Sequence, residues 1–373
     1  MDVPTLERWQ KLLQEEINWD YLLQIARRHK LMPLLYWHLH QTNPAIVPPS
    51  IWQQLQQYFD ESCERNQFLT VELLNLLSLF ERHSILAIPY KGSALSIEAY
   101  GDLSLRLFRD IDLLVHPQDL KKSKKLLIDN GYILVSELFW ENDFRSQDGR
   151  IVIDLHREIT PKFFSFSFEF DDFRQRLKTI LINNTPVLSF STEDLILILC
   201  VYLARDCWQK KEKLVQVCDI AELIRTYPSI NWGWLVQKSA ELGSQRMLFL
   251  GLFLAKELCD IHLPDKVLEQ IKADPMITSL AMQVCQWFFK EDAPDLGLER
   301  KLFYLKVRER LQDIIVHIPY LVEYSVTPSK TDQDFLFLPD SISFLYYLVR
   351  PIRLITQSVM RLFDRFFNNI FQN

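Results

Sequence analysis

The 373-residue sequence predicts an α+β protein that is rich in helices and has one small mixed β-sheet. Apolar residues recur at three- and four-residue spacing over most of the chain, which favours amphipathic helices. Short apolar segments of strand type are confined to residues 84–190, and the 8 glycines are few, which is typical of a chain with few tight hairpins. We therefore expect the sheet to lie between N-terminal helices and a C-terminal helical bundle.

This pattern divides the chain into four regions. We expect an N-terminal helical region at 1–83, an α/β core at 84–190, a helical bundle at 191–295 and a C-terminal helical extension with a basic amphipathic tail at 296–373. The composition is ordinary for a globular protein, with 48% hydrophobic and 24% charged residues. A chain of this length and composition can bury a substantial core.

The N-terminal region has the spacing of amphipathic helices. Helices are predicted from Leu6 to Ile17, from Tyr21 to Lys30 and from Met32 to Gln41. Pro48-Pro49-Ser50 then opens a long helix that runs to about His83, with Ser50 as its N-cap.

The α/β core alternates strands and helices. Its first half is expected to have a strand at 85–90, a Gly-Ser turn, a helix at 94–100, a strand at 109–115 and a helix at 117–130 that ends at Gly131. Strands at 132–140 and 150–157 follow, on either side of a turn with Asp148-Gly149. The last element is a hairpin of 179–182 with 186–190 around Asn183-Asn184. The aromatic stretch from Phe163 to Phe173 either lines an acceptor pocket or, as we favour, belongs to the core. Ser191 then caps the first bundle helix.

Two carboxylates lie in the segment Arg109-Asp110-Ile111-Asp112-Leu113-Leu114-Val115. Side chains alternate along a strand, so Asp110 and Asp112 project from one face while the apolar residues between them enter the core. Asp154 has the corresponding place in Ile151-Val152-Ile153-Asp154-Leu155-His156. Three oxygen ligands that converge on one point suit Mg²⁺ bound together with substrate phosphates. An isolated Asp-x-Asp is usually only a solvated pair, but this arrangement indicates nucleotidyl transfer.

The turn Gly92-Ser93 supports that interpretation, because it follows an apolar strand and precedes a helix. A glycine at such a turn lets the backbone approach a ligand closely, and the free N–H groups at a helix start attract phosphate.

At these residues the chain resembles the bacterial uncharacterised nucleotidyltransferase family of the polymerase-β-like nucleotidyltransferase superfamily. The family pattern runs Lys-Gly, a helix, Arg-x-x-x-Asp-x-Asp with an apolar run, and then Asp-x-His between apolar residues. Lys91-Gly92, Arg106 to Val115 and Val152 to His156 reproduce that order. The segments Ala26 to Tyr36, Cys218-Asp219-Ile220-Ala221 and Leu345 to Pro351 also resemble the family, so the resemblance covers most of the chain.

The resemblance implies that a nucleoside monophosphate is transferred from NTP to an acceptor, with two Mg²⁺ ions and release of pyrophosphate. It implies that Asp110 and Asp112 bridge the metals, and that Asp154 binds the acceptor-side metal and can receive the acceptor proton. Gly92 and Ser93 would contact the β- and γ-phosphates through backbone N–H and hydroxyl. A catalytically silent nucleotide-binding or partner-binding module with the same fold is the alternative.

Four neighbouring residues are further candidates for the site. Arg106 either clamps a phosphate or pairs with Asp102 or Asp110. Lys91 either reaches the triphosphate or lies on the surface. We expect His156 to be a partner of a carboxylate rather than a ligand, since Mg²⁺ prefers oxygen. Arg109 stands where a small residue is expected.

The helical bundle offers few further candidates. Family members carry histidines near the positions of Tyr202 and Asp206, and their absence here argues against a catalytic bundle histidine. Asp219 either faces the cleft or, as the simpler alternative, pairs on the helix surface with Lys213 or Arg225.

Charge and cysteine usage limit the partners and the compartment. A net charge of −6 gives no general basic footprint, so nucleic acid is disfavoured as the acceptor and a small molecule, peptide or protein is favoured. The six cysteines show no Cys-x-x-Cys pair, and no secretory signal or membrane-spanning run is visible. These features predict a cytoplasmic protein with reduced thiols.

The tail at 341–373 has an apolar stripe at helical spacing and a basic excess, with four arginines against one aspartate. Such a helix either packs on the rest of the protein, as we favour, or makes a peripheral membrane or protein contact.

Overall fold

The computed structural model of the chain describes residues 12, 15–42, 46–138, 140–161, 164, 166, 168–289, 297–315, 319, 336, 339–349, 352, 353 and 356. Its helix-rich architecture with a small mixed sheet confirms the predicted α+β class.

Three N-terminal helices precede the sheet: α1 (Trp19–Arg28), α2 (Met32–Thr42) and α3 (Pro49–Arg82). All three were predicted, whereas most of the predicted helix at 6–17 lies outside the described residues. Ser50 is not the N-cap of α3, because that position belongs to Pro48, and Pro49 begins the helix. Proline suits the first helical position, since its fixed φ is already helical and the missing N–H has no helical partner there.

The central sheet has five strands in the order β1-β2-β5-β4-β3. The strands are β1 (Ala87–Pro89), β2 (Ile111–Val115), β3 (Ile133–Glu137), β4 (Glu141–Arg145) and β5 (Val152–His156). Helix α4 (Gly92–Tyr100) connects β1 to β2, and α5 (Leu120–Asp129) follows β2 after a short 3₁₀ turn. Strands β2 and β5 are parallel, whereas the other pairs are antiparallel, so the sheet is mixed as predicted.

The predicted strand at 132–140 is wrong in its extent, because β3 ends at Glu137, and the second strand β4 that follows it from Glu141 was not predicted. Strand β4, rather than β3, pairs with β5 across the turn at Asp148-Gly149. The sequence obscures β4 because Asn142, a polar residue, lies on its buried face beside Phe144. Apolar and polar residues therefore do not alternate in β4 as they do in most half-buried strands.

The predicted hairpin is present as β6 (Lys178–Ile182) and β7 (Thr185–Ser189). Asn183 and Asn184 have φ of 47° and 62°, as a type I′ turn requires. The short helix α6 (Phe170–Arg174) precedes this hairpin. The phenylalanines of the preceding aromatic stretch that the structure describes are buried, which confirms the core interpretation for Phe164, Phe166, Phe168, Phe170 and Phe173.

The helical bundle begins where Ser191 caps α7 by accepting a hydrogen bond from the Asp194 N–H, as predicted. The helices are α7 (Thr192–Gln209), α8 (Leu214–Thr226), α9 (Trp232–Glu241), α10 (Gln245–Cys259), α11 (Asp265–Ala273), α12 (Pro275–Phe289) and α13 (Gly297–Lys306). Helix α7 is buried along 194–204 and forms the centre of the main core with α8 and α10. Among the described helices, none has the length and apolar character needed to cross a bilayer.

The basic tail lies mostly outside the described residues. Its described part begins with a 3₁₀ turn at Asp340–Leu345. Phe344, Tyr347, Leu348 and Ile352 are exposed there, whereas Tyr346 is buried.

Candidate active site

A cavity of about 430 Å³ lies where the β2–β5 pair faces helices α7 and α8. The α/β core contributes six residues to its lining: Lys91, Gly92, Arg106, Asp110, Asp112 and Asp154. The structure therefore brings all but one of the sequence-predicted site residues to one cavity. Ser93 is the exception, because it is not part of this lining.

The carboxylates converge because β2 and β5 are parallel and in register. Asp112 and Asp154 are direct Cα partners in this pairing, so their side chains leave the sheet on the same face. Ligand atoms of Asp112, Asp154 and His156 lie within 4.8 Å of one another. Asp110 lies in the bend just before β2 and lines the same cavity.

Burial and mutual repulsion shape the protonation of this cluster. Burial, together with the charges of Asp112 and Asp110, raises the pKa of Asp154 to about 8. Burial and Asp112 also raise the pKa of Asp110. Burial acts in the same direction on Asp112, but Lys91 and His156 outweigh it and hold the pKa of Asp112 below its usual range. The cluster therefore retains a proton at neutral pH, and a bound cation would favour its full ionisation.

Lys91 points inward to this cluster rather than to the surface. Its Nζ donates to Asp112 Oδ1 at 2.9 Å and lies 4.2 Å from the centre of the Tyr202 ring. His156 Nε2 lies 3.3 Å from the same carboxylate oxygen, in the partner position that the sequence suggested. The Asp112 carboxylate thus already attracts one cationic group, which shows that its position favours positive charge.

The turn before α4 fits a close approach of backbone to ligand. Gly92 has φ of 52°, and a Cβ at this position would meet the Asp110 carbonyl oxygen at 3.4 Å. A side chain would therefore be strained there by the left-handed backbone conformation. The hydroxyl of Ser93 is buried and hydrogen-bonded to Thr70 of α3 at 2.8 Å, so only the backbone N–H of Ser93 is left for a phosphate.

Arg106 pairs with Asp219 rather than with Asp102 or Asp110. Its Nε donates to both carboxylate oxygens of Asp219 at 3.0 and 3.1 Å. Tyr100 donates its hydroxyl to the same carboxylate, which is 1% exposed, so the simpler surface interpretation of Asp219 is wrong. Within the described part of the chain, the two terminal nitrogens of Arg106 form no hydrogen bond, although the residue is only 9% exposed.

Sequence reasoning missed a second group of carboxylates on β4. Ligand atoms of Glu141, Asp143 and Asp154 lie within 4.8 Å of one another, because Asp143 is the Cα partner of Asp154 across the antiparallel pair. The alternation Glu141-x-Asp143 is the same signal that identified Asp110 and Asp112. It was not used because β4 itself was not recognised.

The bundle wall of the cavity was also underestimated. Tyr202 and Asp206 both line the cavity. The Tyr202 hydroxyl donates to the Ile159 carbonyl at 2.5 Å and lies 2.9 Å from the Tyr90 hydroxyl. Arg205 stacks on the Tyr202 ring at 4.1 Å and pairs with Asp206 at 2.9 Å. These contacts fix the side of the cavity that faces the carboxylates.

Comparison of the chain with known structures found distant similarities, among them the following three. A lincosamide antibiotic adenylyltransferase, LnuA, bound to lincomycin is 16% identical, with a TM-score of 0.32 over 42% of this chain and 96% of the other. ANT(2″)-Ia in complex with adenylyl-2″-tobramycin is 14% identical, with a TM-score of 0.36 over 47% and 97%. An antigenic nucleotidyltransferase-like protein from Paracoccidioides brasiliensis is 18% identical, with a TM-score of 0.28 over 50% and 92%. No acceptor follows from similarity at this level.

Comparison at the sequence level is more decisive. No curated protein matches the chain significantly. The profile of the family described as "Uncharacterised nucleotidyltransferase", however, matches residues 15–260, which include α1, the whole sheet and the bundle through α10. This match confirms the resemblance seen in the motifs around Gly92, Asp110, Asp112 and Asp154. The chain belongs to the uncharacterised nucleotidyltransferase family.

Proposed function

We propose that this protein transfers a nucleoside monophosphate from an NTP to the hydroxyl of a small molecule, peptide or protein. The observation that carries the proposal is the meeting of Asp110, Asp112 and Asp154 with the Gly92 turn and Arg106 in one cavity. In the transfer, the acceptor oxygen forms a bond to the α-phosphorus, the bond from that phosphorus to the β-phosphate bridging oxygen breaks, and pyrophosphate leaves.

The donor set fits Mg²⁺. Asp110, Asp112 and Asp154 supply carboxylate oxygens, which are the ligands that Mg²⁺ prefers, and they face a cavity that can admit the triphosphate. We propose that these three residues hold two ions. When bound, Mg²⁺ neutralises phosphate charge and lowers the pKa of the acceptor hydroxyl.

The chain's own groups bind, orient and accept a proton. The backbone N–H groups at the start of α4 face the phosphates, because no side chain caps this helix start and its first N–H groups have no helical partner. The terminal guanidinium nitrogens of Arg106 donate to a phosphate while Asp219 holds the rest of the side chain. Asp154 receives the acceptor proton, a role that suits a carboxylate whose proton affinity burial and its neighbours have raised.

The acceptor is proposed from charge and composition. The net charge of −6 disfavours a nucleic acid, so we propose a small molecule, peptide or protein that carries a hydroxyl. The six cysteines are free thiols, which supports action in the reducing cytoplasm.

The test is a transfer assay with the purified full chain. The protein is incubated with Mg²⁺, one of the four α-³²P-labelled NTPs and either the small-molecule fraction or the protein fraction of a cell extract. We expect one labelled NTP to mark one fraction, and Asp112→Asn to abolish the labelling. If the chain binds NTP but labels nothing in any fraction, the binding-only alternative is favoured and the proposed transfer is overturned.

A further inference from the structure

The end of helix α1 reaches the cavity although it lies far from the catalytic core in sequence. His29 and Lys30 follow α1 within the segment Ala26 to Tyr36, for which the proposed chemistry gives no role. Lys30 lines the cavity, and its backbone has φ of 60°, which is uncommon for a residue with a side chain. A conformation of this kind persists only where surrounding contacts hold it.

The C-terminal turn of α1 supplies those contacts, because the Leu31 N–H donates to the Ala26 carbonyl at 2.8 Å. His29 anchors this turn to the helical bundle. The ring is 1% exposed, its Nε2 lies 2.8 Å from the Phe288 carbonyl oxygen, and its Nδ1 lies 3.2 Å from the Leu214 N–H. The carbonyl can only accept and the N–H can only donate, so the ring is the neutral tautomer with its proton on Nε2. Burial agrees with this, since it lowers the pKa of His29 to about 4. One imidazole thus joins α1 to α12 and to the start of α8.

The bond from Leu214 to His29 has a geometric consequence for two lysines. Lys30 follows His29 in the chain, and Lys213 precedes Leu214, so one hydrogen bond fixes the backbones next to both lysines. Lys213 also lines the cavity. The N-terminus of α8 lies at the same place and adds the positive end of its dipole.

These two lysines differ from three other cavity cations in their pairing. Lys91 pairs with Asp112, Arg106 with Asp219, and Arg205 with Asp206. Among the residues that the structure describes, neither Lys30 nor Lys213 forms an ion pair. Unpaired positive charge beside a cavity attracts a polyanion.

We infer that Lys30 and Lys213 hold the β- and γ-phosphates of the NTP, and then the departing pyrophosphate, with His29 as their positioning residue. The inference rests on the proposed nucleotidyl transfer and adds to the Gly92 turn a second phosphate-binding point, which comes from helices outside the sheet. Arg106 lies in the same cavity and presents its unpaired terminal nitrogens to the same ligand.

The first test measures binding by calorimetry on the full chain, with each NTP, its monophosphate and inorganic tripolyphosphate as ligands in Mg²⁺ buffer. Lys30→Gln and Lys213→Gln should each weaken NTP and tripolyphosphate binding by about tenfold, as expected for loss of one charged hydrogen bond. Monophosphate binding should change little, and Lys30→Arg should restore most of the loss. Lys266→Gln, at an exposed lysine of α11, is the matched control and should change nothing.

The second test asks whether His29 acts through the lysines. His29→Gln should lower the ratio of triphosphate to monophosphate affinity in the otherwise unchanged protein, but not in the Lys30→Gln, Lys213→Gln background. A general structural defect would weaken both ligands in both backgrounds, and circular dichroism would show whether each variant is folded.

The outcomes separate the inference from the proposed function. If the wild-type protein binds NTP and the lysine variants keep the wild-type ratio of triphosphate to monophosphate affinity, the phosphate-binding role of the lysines is overturned while nucleotidyl transfer stands. If the variants lose tripolyphosphate binding and wild type transfers nothing to any acceptor, the proposed function fails and the lysine site stands. If wild type binds neither NTP nor tripolyphosphate, both are overturned.

Discussion

Replacing Asp154 by Asn should stabilise the metal-free protein at alkaline pH. The pKa of Asp154 is about 8 in the folded protein against an ordinary value of 3.8. The difference of about 4 units corresponds to about 5–6 kcal/mol at ~1.36 kcal/mol per unit. This free energy is shared among the coupled carboxylates, and Asp154 keeps some solvent contact. We therefore expect Asp154→Asn to raise the free energy of unfolding by only about half of it, ~3 kcal/mol.

The sign follows from proton binding in the two states. Below about pH 4, Asp154 is protonated both folded and unfolded, so it makes no pH-dependent contribution. Between about pH 4 and 8 the folded protein holds a proton that the unfolded chain has lost, so wild-type stability falls as pH rises through this window. Asn at this position carries no charge. The gain in free energy of unfolding from Asp154→Asn should therefore be small at pH 4.5 and largest at pH 8.5.

Urea unfolding at these two pH values, with EDTA present, measures the effect. Asp60→Asn, at an exposed position of α3, is the matched control and should show no such pH dependence. Added Mg²⁺ at pH 8.5 should stabilise wild type more than Asp154→Asn, because the ion binds the folded carboxylates. A gain from Asp154→Asn that is equal at pH 4.5 and 8.5 would refute the account of the cluster given above.

Three further outcomes are expected. Asp110→Ala should abolish transfer and Mg²⁺-dependent NTP binding but leave the metal-free melting temperature at or above that of wild type, because burial and the Asp112 charge raise the pKa of Asp110 and the change removes a like charge; a much lower melting temperature would mean a structural role. Asp219→Asn should cost about 3–5 kcal/mol in urea unfolding, because it leaves the buried Arg106 charge unpaired, and an unchanged midpoint would contradict this. If the tail packs on the rest of the protein, as we favour, deleting 341–373 should cause aggregation that light scattering detects. A soluble truncated protein, together with salt-sensitive binding of the full chain to anionic vesicles, would instead show that the tail is an anchor.

Asp112 and Asp154 were readable from sequence because each lies in a short apolar segment of strand type, and the two segments pair in register. Asp110 was expected on the same strand, but it lies in the bend before β2 and lines the cavity from there. The Gly92 turn was readable because a strand, a glycine and a helix follow one another directly. The family resemblance rested on these same short segments.

The rest depended on contacts between distant parts of the chain. Arg106 and Asp219 are separated by 113 positions, and no local pattern indicates that they pair. The Ser93 hydroxyl was assigned to phosphate because nothing near it in sequence shows that Thr70 engages it. Strand β4 was not predicted because the polar residue Asn142 occupies a buried position. Glu141 and Asp143 were therefore not recognised as site candidates.

Stability and function oppose each other at this site. Asp110, Asp112 and Asp154 lie so close together that burial and repulsion raise two of their three pKa values, which is unfavourable for a folded protein without a cation. This unfavourable free energy strengthens the binding of a cation, because a divalent ion that enters the cluster removes the repulsion between the carboxylates. Lys91 relieves only part of it, through Asp112. Nucleotide and metal should therefore bind together and stabilise the fold together, and the surrounding cations, Lys30 among them, keep the entering triphosphate from being repelled by the carboxylates it must approach.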